Sequence, residues 1–94
     1  LVADQIFDGS RVLDLGCGSG ILSVASVLLG ASHAVAVDID PVAEHVALEN
    51  AAMNGVVPAQ YDVLIGDLLS DEALQTRIRR GYDVVVAGCF YKVR

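Results

Sequence analysis

Hydrophobic positions in this chain fall into short runs separated by glycine, proline and acidic punctuation. Arg11 to Leu15 (RVLDL) is apolar but for a carboxylate near its end, and it runs straight into Gly16-Cys17-Gly18-Ser19-Gly20. A short apolar run bounded by glycines predicts a strand. From Ser19 to Leu29 nearly every residue is small or apolar, which predicts a helix apolar on most faces and therefore buried, stopped by Gly30. "HAVAVDID", continuous and β-branched, predicts a second strand covered on both faces. Asp40-Pro41 opens a second helix, with Asp40 as N-cap and proline at its first position. Val42, Val46 and Met53 fall near one face of that helix, and Asn54-Gly55 ends it. "YDVLIGD" predicts a third strand. The helix after Ser70-Asp71-Glu72 carries acids in its first turn and Arg77, Arg79 and Arg80 in its last, as the macrodipole favours, and Gly81 stops it. "YDVVVAG" predicts a fourth strand. Residues 1–10 read as a short helical or irregular lead-in, with a turn at Asp8-Gly9.

Strand and helix alternate throughout, so the strands are expected to run parallel in an open α/β sheet, with helices on both faces. The whole chain, 1–94, reads as one domain without repeats or linkers. After "VVVA" no further strand is expected, which would leave an apolar edge and implies a truncated domain that lacks its C-terminal strands.

Composition narrows the function classes. Ninety-four residues, 54% apolar and 19% charged, describe a small globular domain. A net charge of −6 argues against broad binding to a nucleic-acid backbone. No run reaches the roughly 20 apolar residues of a membrane span, and no signal-type segment opens the chain, so a cytoplasmic protein without membrane contact is expected. Cys17 and Cys89 form no metal-ligand pattern and read as buried thiols in a reducing compartment; no metal is expected.

The glycine run carries the candidate chemistry. In open α/β sheets ligands sit beyond the carboxyl ends of the strands, and the loop after the first strand forms the floor. A phosphate-binding loop would need Gly-Lys-Ser/Thr at the helix start, but Gly20 is followed by Ile21-Leu22. The dinucleotide fingerprint would need a glycine where Ile21 stands, and Asp14, two residues ahead of Gly16, would repel a pyrophosphate. An acid ahead of Gly16, Gly18 and Gly20 suits a cationic ligand without phosphate. S-adenosyl-L-methionine, with its ammonium and sulfonium, meets that description. Asp14 is then expected to face its amino-acid end, directly or through water. Asp38, 22 residues beyond Gly16, stands where an acid meets ribose hydroxyls, and Asp40 as the N-cap leaves it free to do so. Asp67, past the third strand, is placed to face the adenine amino group.

With those residues in place the chain resembles a class I S-adenosylmethionine-dependent methyltransferase over nearly its whole length. "VLDLGCGSGILSVASVLLGA", "AVAVDIDPVAEHVALENAAMNGV" and "GDLLSDEALQTRI" are similar, in particular, to the ribosomal protein L-eleven methyltransferase family (PrmA). The resemblance implies a partial Rossmann-like methyltransferase fold of four parallel strands in the order 3-2-1-4. It also implies cofactor binding at Gly16 and Asp38, and a protein substrate, in that family a large-subunit ribosomal protein, methylated on lysine or the N-terminus. The family's fourth strand continues into a segment whose asparagine lines the site; here that position is Gly88. "YDVVVAGCFY" is also similar to the electron-transfer-flavoprotein lysine methyltransferases, with Cys89 in place of their aspartate. A catalytically incomplete cofactor-binding fragment is the further alternative. No general base is named: Tyr91 and Cys89 are conceivable, while His33 and His45 read as surface or packing residues.

Overall fold

The computed structural model describes residues 8–16, 18–78, 81–87 and 90–93. The lead-in 1–7, Cys17, Arg79, Arg80, Gly88 and Cys89 lie outside the described residues, as does the side chain of Tyr91. The elements are β1 (Arg11–Leu15), α1 (Ile21–Leu28), β2 (His33–Asp38), α2 (Val42–Met53), β3 (Tyr61–Ile65), α3 (Glu72–Arg77), β4 (Val84–Ala87) and β5 (Phe90–Val93). A 3-10 turn, Pro58–Gln60, leads into β3.

The sheet order is β3-β2-β1-β4-β5, and β1 to β4 are parallel, so the expected 3-2-1-4 arrangement is present. The expectation of no strand after the fourth is corrected: β5 pairs antiparallel with β4, Val84 opposite Val93 and Ala87 opposite Phe90. Two residues separate β4 from β5, and a parallel neighbour would need a crossover of a dozen or more, so the added strand runs antiparallel.

Alternation along the strands splits the interior into two cores, one on each face of the sheet. Val12, Ala34, Ala36, Val84 and Val86 face α1 and α2. Leu13, Val35 and Val37 face the other way, against Leu74, Ile78 and Tyr82. The first face is built from small residues, which lets the helices sit close.

Neither helix on that face is buried as expected: α2 turns a different side inward, and α1, expected to be buried on most faces, exposes one. In α2 the buried stripe is Ala43, Ala47 and Ala51, while Val42 and Met53 are 63% and 81% exposed. Alanines four residues apart line one flat face, and close approach to the sheet selects that face over the bulkier one. In α1, Ser23 and Ser26 are buried beside Val24 and Val27, whereas Ile21 and Leu28 are largely exposed. A buried carboxylate on β1 accounts for Ser23, as described below, and Ser26 bonds back to the Leu22 carbonyl at 2.7 Å.

The helix ends follow the sequence. Gly30 (φ +118°) closes α1 with N–H donated to the Val27 carbonyl, and Ala31 N–H reaches the Ser26 carbonyl. Gly55 and Val56 do the same for α2. Asp40 Oδ1 accepts from Val42 N–H at 3.0 Å at the start of α2, and Asp71 caps α3 through Leu74 N–H at 3.0 Å. Among the described residues no helix is long and apolar enough to cross a membrane.

Candidate cofactor site at the carboxyl ends of the strands

The end of β1 is stitched to β2 by Gly16 N–H, which donates to the Val37 carbonyl at 2.7 Å. The end of β2 is stitched to the chain after β3 by Gly66 N–H, which donates to the Asp38 carbonyl at 2.9 Å. These bonds extend the parallel ladders past the strands and bring three successive loops side by side. Between them opens a cleft of about 280 Å³. Gly16, Asp38 and Asp67 line it, with Leu15, Ile39 and Leu68 as its apolar walls. Among the described residues no lysine or arginine lines it. A smaller depression, about 150 Å³ between Arg11, His33, Asp62 and Arg77, lies at the opposite, amino end of the strands.

The glycines divide by environment. A Cβ added at Gly16 or Gly18 would meet nothing within 4 Å, so the main chain there faces open space that a ligand could fill. Gly20 (φ +78°) is different: a Cβ would lie 2.8 Å from Tyr61 Oη and 2.9 Å from Ala47 Cβ. It is buried and packs the start of α1 against α2 and β3, away from the cleft lining. A glycine serving close helix packing is the third role known for such loops.

The carboxylates divide too. Asp38 holds its loop together: Oδ2 accepts from Gly18 N–H and Oδ1 from Asp40 N–H, each at 2.9 Å. The Asp40 amide, then the Gly18 amide, draw its pKa below the ordinary carboxylate value, so it is firmly ionised. The expectation that Asp38 stands free is corrected in this respect, because Asp40 caps α2 and Asp38 is nonetheless bonded twice. A carboxylate accepts about four hydrogen bonds, so two amides leave capacity for hydroxyl donors. Asp67 accepts from Leu69 N–H through Oδ1 at 3.0 Å and stays exposed at the cleft.

Asp14 does not share the cleft. As residue four of β1 it points with Val12 to the α1 face, where it is 2% exposed. Ser23 Oγ donates to its Oδ2 at 2.7 Å. Burial is the main influence and raises its pKa, the negative charge of Asp38 raises it further, and the Ser23 hydrogen bond opposes both. Asp14 is therefore a buried carboxyl beneath the loop, with its charged form disfavoured, and the acids at the rim are Asp38 and Asp67.

Two residues of the site lie outside the sequence expectations. Ser23 signals itself only as a hydroxyl in an apolar helix. Asn50, in the last turn of α2, donates through Nδ2 to the Ser19 carbonyl at 2.8 Å and ties α2 to the loop. His33 pairs with Asp62 at 3.1 Å and His45 with Glu49 at 3.0 Å, both away from the cleft.

The described residues fit an adenosine-type cation: open main chain at two glycines, an ionised carboxylate with spare acceptor capacity, apolar walls and, among those residues, no basic side chain. Known proteins agree. The family model described as ribosomal protein L11 methyltransferase (PrmA) matches residues 2–93. The ribosomal protein L11 methyltransferase of Ectopseudomonas mendocina is 54% identical over 61 residues, covering 65% of this chain and 21% of that protein. The chain thus spans about a fifth of the length of that curated relative. The crystal structure of ribosomal protein L11 methylase from Lactobacillus delbrueckii subsp. bulgaricus superposes with a TM-score of 0.75 at 32% identity, over 92% of this chain and 40% of that one. A SAM-dependent methyltransferase from Thiobacillus denitrificans, solved with S-adenosyl-L-homocysteine, gives a TM-score of 0.71 at 26% identity, over 94% and 33%. With residues 2–93 of the chain matched by the family model and the same fold in a solved member, the chain belongs to the ribosomal protein L11 methyltransferase (PrmA) family of S-adenosyl-L-methionine-dependent methyltransferases.

Proposed function

We propose that this chain forms the S-adenosyl-L-methionine-binding core of an enzyme that methylates amines, a lysine side chain or the N-terminus, of a large-subunit ribosomal protein. The observation that carries it is the meeting of Gly16, Asp38 and Asp67 at one cleft over three adjacent parallel strands, with no basic group among the described lining residues to receive a phosphate.

When bound, the sulfonium supplies a methyl carbon already activated for displacement. The chain's own work is to bind and orient. Asp38, ionised and fixed by two amides, accepts from the ribose hydroxyls. Asp67 accepts from the adenine amino group through the oxygen that Leu69 N–H does not use. Gly16 and Gly18 let the ligand lie against the main chain. Asp14, buried below the loop, ties α1 to the end of β1 through the Ser23 hydroxyl. Leu15, Ile39 and Leu68 exclude water from one side of the cleft. Alignment of donor and acceptor can lower the barrier by about 7–11 kcal/mol. The acceptor amine attacks only when neutral, and a desolvated approach favours that form.

Calorimetry separates this function from a dinucleotide one. S-adenosylhomocysteine is expected to bind the chain and NAD is not; preference for NAD would overturn the proposal. Incubation with methyl-labelled S-adenosyl-L-methionine and ribosomal protein L11 tests the acceptor, label being expected on protein amines.

A further inference from the structure

The glycine loop has to keep one shape to present its main chain to a ligand. Glycine loses more conformational freedom on folding than any other residue, so that order must be imposed from outside the loop. Three ties do this among the described residues. Gly16 is held by the β1–β2 ladder through Val37, and Gly18 by the Asp38 carboxylate. The third tie comes from a helix: Asn50 Nδ2 donates to the Ser19 carbonyl at 2.8 Å.

We propose that Asn50 is a positioning residue for the cofactor site, acting through Ser19 to hold the second half of the glycine loop in its ligand-ready shape. The proposal rests on the cofactor-binding function above. Asn50 is not among the residues lining the cleft, so a direct ligand contact is not what places it here. Asparagine is a poor helix former because its side chain competes for backbone groups, yet this one stands within the last turn of α2 and is half-buried. Its carboxamide is spent on a loop 31 residues away rather than on its own helix. The geometry explains why it reaches. Ala47, three residues earlier on the same side of α2, is so close to Gly20 that a Cβ there would come within 2.9 Å of the Ala47 methyl. That contact brings α2 against the loop, and a side chain of asparagine's length then spans the remaining gap. The partner is a carbonyl, so a donor is required, which aspartate cannot supply.

The proposal separates loop anchoring from helix stability by a neighbouring control. Asn54 Nδ2 donates to the Asn50 carbonyl at 2.8 Å, one turn further along the chain, so its carboxamide is spent on α2 itself. Asn50→Asp, Asn50→Gln and Asn54→Ala are compared with the parent chain by calorimetry with S-adenosylhomocysteine and by amide hydrogen exchange of residues 19–24 without ligand. Asn50→Asp is expected to weaken binding about tenfold and to speed exchange in that segment. Asn50→Gln, which keeps a donor on a longer arm, falls between. Asn54→Ala lowers the melting temperature while affinity and loop exchange stay at parent values. Parent affinity and parent exchange in Asn50→Asp would overturn the assignment. Should that variant not fold, Asn50→Gln decides: a profile matching Asn54→Ala overturns it equally. If the parent chain does not bind S-adenosylhomocysteine, the functional proposal fails, and the exchange comparison still decides whether Asn50 anchors the loop.

Discussion

The ends of β1 and β2 carry the same residue type and use it in opposite ways. Asp14 is turned under α1, sealed from solvent, given one hydroxyl partner and pushed toward its protonated form. Asp38, on the neighbouring strand, sits at an open cleft, takes two backbone amides and is pulled toward its ionised form. The glycines beside them divide in the same manner, Gly20 closing the packed side and Gly18 facing open space. One loop thus serves two regions, an interior seam where α1, α2 and β3 meet and an exposed floor. What differs between them is access to water, and that alone decides whether a carboxylate is a packing problem or a binding group.

The contrast can be broken at several points. Gly20→Ala forces a methyl onto Tyr61 and Ala47 at a positive φ and is expected to cost about 3 kcal/mol in denaturant unfolding. Gly18→Ala meets no atoms and should cost about 1 kcal/mol, falling instead on ligand affinity. Equal losses would remove the distinction between seam and floor. Ser23→Ala leaves the buried Asp14 without its donor and should destabilise by about 2 kcal/mol, measured the same way, with ligand affinity little changed. Asp38→Ala should do the reverse, weakening S-adenosylhomocysteine about 30-fold in calorimetry while stability moves less. Unchanged affinity there would end the ribose assignment.

The smallest effect is in pH dependence, where the signs oppose. Asp14 has a folded pKa above its unfolded one, so stability falls as pH rises between the two, because the native state holds a proton that the unfolded state has released. Asp38 has a folded pKa below its unfolded one, so its contribution is complete above the unfolded value and disappears as pH falls through the folded pKa. Carboxyl-carbon NMR titration should show the two shifted in opposite directions, and Asp14→Asn should remove only the first dependence.

The run RVLDL before three alternating glycines, the continuous HAVAVD and the Asp40-Pro41 and Asn54-Gly55 boundaries made the parallel sheet and its helix ends legible before any coordinates. Patterning and turn chemistry are local, and these elements obey them. Asp38 and Asp67 could be picked out for the same reason, since a polar residue just past a parallel strand has only one end of the sheet to occupy. Tertiary structure decided the rest. It buried alanines rather than valine and methionine in α2, because the sheet accepts the flatter face. It turned Asp14 inward, since side chains alternate along a strand and Asp14 shares its parity with Val12. It also brought Asn50 to Ser19, a contact between residues far apart in sequence that no local pattern encodes. Sequence determined which groups stand at the strand ends; only packing could decide which of them meet water.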